Sequence, residues 1–279
     1  MNVLSIDKQT AIIAALVDGN SVRATARICG VAKGTVLSLL RIVGAHCKNH
    51  HDRFVCGVAA KRVQVDEIWS FVGAKQRNAK NAGQGDVWTF TAIDADTKLI
   101  IGYRLGARDG TTARPFLLDL ADRLNGRCQL TTDGHKMYTW AVENAFGWNG
   151  ADFAQLVKVF APSAEGERRY SPPIIVSTQK MTVMGQPDPA HVSTSYVERS
   201  NLTMRMQMRR FTRLTNAFSK KIENHLYAVA LHFMFYNYCR AHGTLTAAAG
   251  GIKTTPAMAA GLTNRVWTIH DLIDLLQGK

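Results

Sequence analysis

Between residues 63 and 160 the apolar pattern changes period repeatedly, and that succession limits the folds open to the chain more than any other feature. Val63-Gln-Val65-Asp66-Glu67-Ile68-Trp69 alternates as a strand. Val87–Ile93 and Leu99–Leu105 are two further strands around Asp94-Ala-Asp96-Thr-Lys98, a polar turn that implies an antiparallel hairpin. Thr111–Asn125 has helical spacing, with Phe116, Leu117, Leu120 and Leu124 on one face. A strand at Cys128–Asp133, a helix at Lys136–Phe146 and a strand at Ala154–Phe160 complete the series. The expected product is a mixed five-stranded sheet flanked by helices, an α/β fold. A right-handed crossover would lay the 128–133 strand parallel to the 63–69 strand and make Asp66 and Asp133 neighbours. Strand geometry sends Asp66 and Glu67 to opposite faces, so these two are not expected to share an ion.

Ahead of this region, residues 7–44 have the pattern of a helix-turn-helix. Asp7 can cap a first helix with Ile12, Ile13, Leu16 and Val17 at helical spacing, and Asp18-Gly19-Asn20 ends it. Ser21 caps a second helix, Ala26 allows close approach, Gly30 makes the turn, and Val31, Val36 and Leu39 hold the third helix against the second. Lys33, Thr35, Ser38 and Arg41 are then left to face a groove and its phosphates. A small helical bundle without a DNA role has the same pattern.

The chain carries 34 Lys and Arg against 21 Asp and Glu, a formal charge of +13. Nucleic acid is the partner that charge favours, ahead of an anionic membrane surface, for which no basic amphipathic anchor is present. The five cysteines are scattered without a CxxC pair and read as reduced thiols. The spacing of His46, Cys47, His50, His51 and Cys56 matches no usual zinc pattern, so 46–60 reads as a polar linker. The apolar run Ala11–Val17 is too short to span a bilayer and no cleavable signal pattern opens the chain, so a cytoplasmic protein is expected.

The segment Ser193–Phe211 reads as a helix carrying one acid among many bases. Val197, Asn201, Met204, Met208 and Phe211 share one stripe, and Glu198, Arg205 and Arg209 share the flank beside it. From Arg199 to Lys221 there are seven bases (Arg199, Arg205, Arg209, Arg210, Arg213, Lys220 and Lys221) and no further acid, a balance suited to a phosphate backbone. A long apolar helix over Asn216–Arg240 follows, and a short one over Ile269–Leu276. Five of the seven prolines fall between Ala161 and His191, which reads as an irregular insertion, 161–192.

Asp66, Asp133 and Glu198 stand out by placement. Each also has a plain structural reading: edge-strand residue, turn former, and partner of Arg205. Together on a basic background they fit phosphodiester chemistry, in which two divalent ions about 4 Å apart activate the nucleophile and stabilise the leaving oxygen. Such ions take carboxylate oxygens, Mg²⁺ here with Mn²⁺ as its alternative.

Val65-Asp66-Glu67-Ile68-Trp69, Thr132-Asp133-Gly134-His135, Tyr196-Val197-Glu198-Arg199-Ser-Asn201-Leu-Thr-Met-Arg205 and Thr255-Pro256-Ala-Met-Ala-Ala-Gly261 with Trp267 together resemble a bacterial DDE transposase of the insertion-sequence-one type. That resemblance implies an RNase-H-like catalytic domain and a metal-bound triad of Asp66, Asp133 and Glu198. It also implies a basic residue, Arg205, seven after the Glu, and a helix-turn-helix for terminal inverted repeats. The expected organisation is a DNA-binding domain at 1–45, a linker at 46–60, a catalytic domain at 61–240 interrupted by 161–192, and a tail with a short helix at 241–279. Expected DNA contacts are Lys33, Thr35, Ser38, Arg41, His135, Lys136, Arg205, Arg209, Arg210 and Arg213. The partners would be terminal repeats and target duplex, with the protein at least dimeric when active and nucleoid-associated in a bacterium. A structure-specific nuclease that cuts without joining, and a domesticated DNA-binding regulator without catalysis, share much of this pattern.

Overall fold

The computed structural model describes residues 4–161, 175–212 and 216–277. Three helices come first: α1 (Ile6–Val17), α2 (Val22–Ile28) and α3 (Lys33–Phe54). The Ser5 hydroxyl, rather than Asp7, caps α1 by accepting from Lys8 N, and Ser21 caps α2 by accepting from Ala24 N. Gly30 takes a φ of 61°, and the chain bends by 110° between α2 and α3. The segment expected as a linker is helical as far as Phe54. Val43, Cys47 and His51 continue the buried stripe of α3, which the polar residues around them disguise in the sequence. Burial first, and Arg123 next, lower the pKa of His51 to about 3, so it packs as a neutral ring whose Nε2 lies 3.0 Å from Ile101 O. The apparent His/Cys cluster is thus mostly core and aromatic packing: His50 stacks among Phe54, Tyr238 and Trp267. Among the described residues no single helix is long and apolar enough to cross a membrane.

The sheet contains β1 (Arg62–Val72), β2 (Gly85–Asp94), β3 (Ile100–Gly106), β4 (Cys128–Asp133), β5 (Ala151–Phe160) and β6 (Ile175–Met184), in the order β3-β2-β1-β4-β5-β6. It is mixed: β1 pairs antiparallel with β2 and parallel with β4, as the crossover argument requires, and β4 pairs parallel with β5. The expected count of five strands is corrected to six among the described residues. β6 falls inside the segment read as an irregular insertion and pairs antiparallel with β5. It is an edge strand exposed over nearly its whole length, so it carries none of the alternation that marks a half-buried strand.

Helices cover both faces. On one lie α4 (Gly110–Arg123) and α5 (Met137–Gly150), where Phe90 of β2 meets Phe116 and Tyr138. On the other lie α3, α6 (Ser195–Gln207) and α7 (Ile222–Met234), where Tyr103 of β3 meets His51 and Phe233. The long helix expected over 216–240 begins later, at Ile222, and ends in a π-turn at Phe235–Cys239. From that turn the buried Asn237 side chain accepts from Ile100 N and donates to Ile100 O, which fastens the helix end to β3. The tail is short helices, α8 (Gly243–Ala248), α9 (Pro256–Ala259) and α10 (Ile269–Asp274), the last packed on α1 and α3. Arg123 of α4 donates to the carbonyls of His51 and Val55 and pairs with Asp52 and Asp119, which ties the end of α3 to the end of α4.

The crossing of α3 over α7 depends on Gly44, where a Cβ would stand 2.5 Å from both Cβ and O of Tyr227. Gly44→Ala should therefore force the two helices apart and destabilise the protein by about 1–3 kcal/mol in chemical denaturation. An unchanged denaturation midpoint would show that the crossing adapts freely.

Candidate active site

The site is made where β1 and β4 stop pairing. Their ladder covers Arg62–Gln129, Val63–Leu130 and Gln64–Thr131 and goes no further, although the same offset would carry Asp66 to Asp133. Beyond that point β1 remains paired with β2 as far as Val72, and β4 with β5 as far as Asp133. The two halves of the sheet part, and acids stand in the gap.

Asp133 is fixed by its own turn. Its Oδ1 accepts from His135 N at 3.0 Å, and the Gln155 amide donates to Asp133 O at 3.0 Å and His135 O at 3.1 Å. Gly134 is required here because a Cβ would lie 2.9 Å from Cγ2 of Val157 on β5. His135 accepts from Met137 N through Nδ1, so its ring caps the start of α5. Lys136 beside it is exposed.

Asp66 faces α6. Its Oδ2 accepts from the Asn201 amide at 2.8 Å, and two residues earlier on the same strand Gln64 Oε1 accepts from Tyr196 N and Val197 N at 2.8 and 3.1 Å. A side chain of β1 thereby satisfies the first-turn amides of a helix whose Thr194 N-cap makes no capping bond. Val197, Asn201, Met204, Met208 and Phe211 are all buried, as the stripe predicts.

Three carboxylates converge in the gap, and the third is Glu67. One oxygen from each of Asp66, Glu67 and Asp133 lies within 4.8 Å of the others. Alternation does send Glu67 to the α5 side, where Tyr138 donates to its Oε2 at 2.5 Å and Arg108 to its Oε1, but the open edge of β1 lets acids of both faces approach. Glu198 does not join that cluster. Its Oε1 accepts from Lys158 of β5 and from the Thr194 hydroxyl at 2.6 Å, and its side chain is 43% exposed. It is still near enough to act on Asp66, whose pKa is pushed up to about 7 by burial of its carboxyl and then by Glu67, Asp133 and Glu198.

The basic residues separate into groups. Lys33, Ser38 and Arg41 are exposed on α3, and Thr35 is half-buried. Arg23, Arg27 and Lys33 line one groove at the bend between α2 and α3. Arg205 lies in the last turn of α6. Helix α6 ends at Gln207 with Met208 extended, so the helical alignment of Arg209 with Glu198 is corrected: Arg209 sits in a separate 3-10 turn, exposed. Arg210 turns inward and donates to Ser219 Oγ at 2.6 Å, and burial lowers its pKa to about 10. Arg213 lies outside the described residues. Sequence reasoning missed Arg108, Tyr138, Lys158 and the structural parts played by Gln64 and Asn201. Asn201, a polar residue on an otherwise apolar stripe, was the available signal.

The donor set suits a hard divalent cation: carboxylate oxygens only, on converging elements. Asp66, Glu67, Asp133 and Glu198 offer four negative charges when ionised, and the paired cations Arg108 and Lys158 cancel two of them. Two negative charges remain for a dication to balance.

A raised carboxyl pKa binds protons more tightly in the folded state than in the unfolded one, so it lowers stability as pH rises from about 4 to about 7. In metal-free buffer Asp66→Asn should melt above the parent protein at pH 8, and that advantage should shrink as pH falls towards 4. A lower melting temperature for the variant at pH 8 would show that the ionised Asp66 is favourably held.

No protein-family model and no curated protein matches the chain. Among solved structures it is similar to the crystal structure of a pre-cleavage Mos1 transpososome, at 12% identity, a TM-score of 0.27, and coverage of 84% of this chain and 77% of that one.

Proposed function

We propose that the chain is a DDE transposase of the insertion-sequence-one type. In this reading it binds the terminal inverted repeats of a mobile element and performs metal-dependent cleavage and strand transfer. The observation that carries the proposal is the placement of Asp66 and Asp133 on adjacent parallel strands at the point where those strands part, with the Glu198 helix docked on Asp66 through Asn201. The sheet is read as RNase-H-like. Residues 1–45 are read as the DNA-binding domain, with α2 and α3 as its helix-turn-helix, and 61–240 as the catalytic one.

Asp66, Asp133 and Glu198 would hold two Mg²⁺, which when bound supply an activated nucleophile and neutralise the leaving oxygen. The protein's own part is positional. β1 and β4 present two acids at a fixed spacing, and Asn201 orients the first of them. Burial raises the pKa of Asp66, so proton and metal ion would compete for its carboxylate. Glu198 must exchange Lys158 for the ion. Arg205, in the last turn of α6, would meet a phosphate backbone approaching Glu198, with Arg209 exposed in the turn that follows, and Lys33, Ser38 and Arg41 would meet the repeat. The two ends of an element need two such sites, so the active form is at least a dimer.

The test uses the full chain and duplexes carrying the inverted repeats that flank its reading frame. Asp66→Asn, Asp133→Asn and Glu198→Gln should each reduce Mg²⁺-dependent strand cleavage to background while repeat binding stays within a few-fold of the parent. Normal cleavage by the Asp66 or Asp133 variant sinks the reading. Cleavage without joining of the 3′ end to a target plasmid would identify a nuclease instead.

A further inference from the structure

The acid cluster of Asp66, Glu67 and Asp133 poses a question that the triad leaves open: what Glu67 does there. Both of its oxygens are engaged from within the protein, Oε1 by Arg108 Nε and Oε2 by the Tyr138 hydroxyl, and its side chain has no exposure. The same guanidinium reaches onward, since Arg108 Nη2 donates to Asp133 Oδ2 at 3.2 Å. Its Cζ lies over the Trp88 ring, 4.8 Å from the centroid. Arg108 also sits in the short link between β3 and α4. Its neighbour Asp109 caps α4 by accepting from Thr111 N and Thr112 N at 3.0 and 3.3 Å, which anchors the link. Arg108 is therefore held by a buried carboxylate and an aromatic face, with one nitrogen extended to an acid that the metal needs.

A hydrogen bond to a carboxylate oxygen uses electron density that a cation at the same oxygen also requires, and two cations on one oxygen repel. We infer that Arg108 limits the affinity of the metal site. It withdraws Glu67 from the ligand set and competes with the divalent ion for Asp133 Oδ2. Glu67 and Tyr138 are then positioning residues that aim the guanidinium. This rests on the assignment of Asp66 and Asp133 as metal ligands. Loading the site requires the Nη2–Asp133 bond to open while Nε remains on Glu67, a movement of one end of the guanidinium about an anchored other end. An arginine with only a structural role would move stability and metal affinity in the same direction.

The test is Mn²⁺ binding by the full chain without DNA, followed by electron paramagnetic resonance of the free ion, with thermal melting run beside it. Arg108→Gln should bind Mn²⁺ about fivefold more tightly than the parent, the upper scale of a part-exposed ion pair removed from competition. Trp88→Leu loosens the guanidinium without touching an acid and should shift affinity the same way by less, which keeps the test in force where Arg108→Gln folds poorly. Glu67→Gln should still bind Mn²⁺, whereas Asp66→Asn should not. Affinity in Arg108→Gln and Trp88→Leu equal to or weaker than the parent's overturns the inference, as does loss of binding in Glu67→Gln as complete as in Asp66→Asn. If Asp66→Asn binds like the parent, the ligand assignment itself fails and the inference falls with it.

Discussion

Everything at the candidate site depends on where one strand pair ends. A continuous β1–β4 ladder would keep Asp66 and Glu67 on opposite sides of a closed sheet. Because pairing stops at Gln64 and Thr131, the acids of both faces meet in one opening, and helices from both sides send groups into it. Asn201 enters from α6, Tyr138 from α5, and Arg108 from the link before α4. The sheet itself is ordinary in its composition of buried Val, Ile and Phe; its interruption is what concentrates charge.

That concentration is balanced in stages. Arg108 offsets Glu67 and part of Asp133, and Lys158 offsets Glu198, so the least compensated acid is Asp66, whose only polar side-chain partner among the described contacts is a neutral amide. Its raised pKa follows from burial first and from the neighbouring acids after it. A site that leaves one central carboxylate short of positive charge is suited to acquiring a cation from solution.

Much of the architecture could be read from periodicity: the hairpin, the parallel crossover, the buried stripe of α6 and the adjacency of Asp66 and Asp133. What could not be read has identifiable causes. The last paired residue of β1 and β4 leaves no mark in the sequence, so nothing announces that Glu67 joins Asp66 and Asp133 while Glu198 turns to Lys158. β6 is exposed on both faces and lacks alternation. α6 stops after Gln207 through an extended Met208, with no Gly or Pro to signal it, and so Arg209 leaves the expected flank. In α3 a neutral buried histidine stands where an apolar residue would have shown that the helix continues.

The grip of β1 on α6 has a geometric consequence. Gln64 and Asp66 are two residues apart on a strand, about 6.7 Å. The groups they hold, the amides of Tyr196 and Val197 and the side chain of Asn201, are four to five residues apart on a helix, about 6–7.5 Å. The two repeats match over this single step, so helix and strand engage like a short length of rack with both teeth seated. Sliding by one helical turn would unseat both at once. These bonds resist movement of α6 along its axis, and Glu198 approaches Asp66 mainly through the torsions of its own side chain.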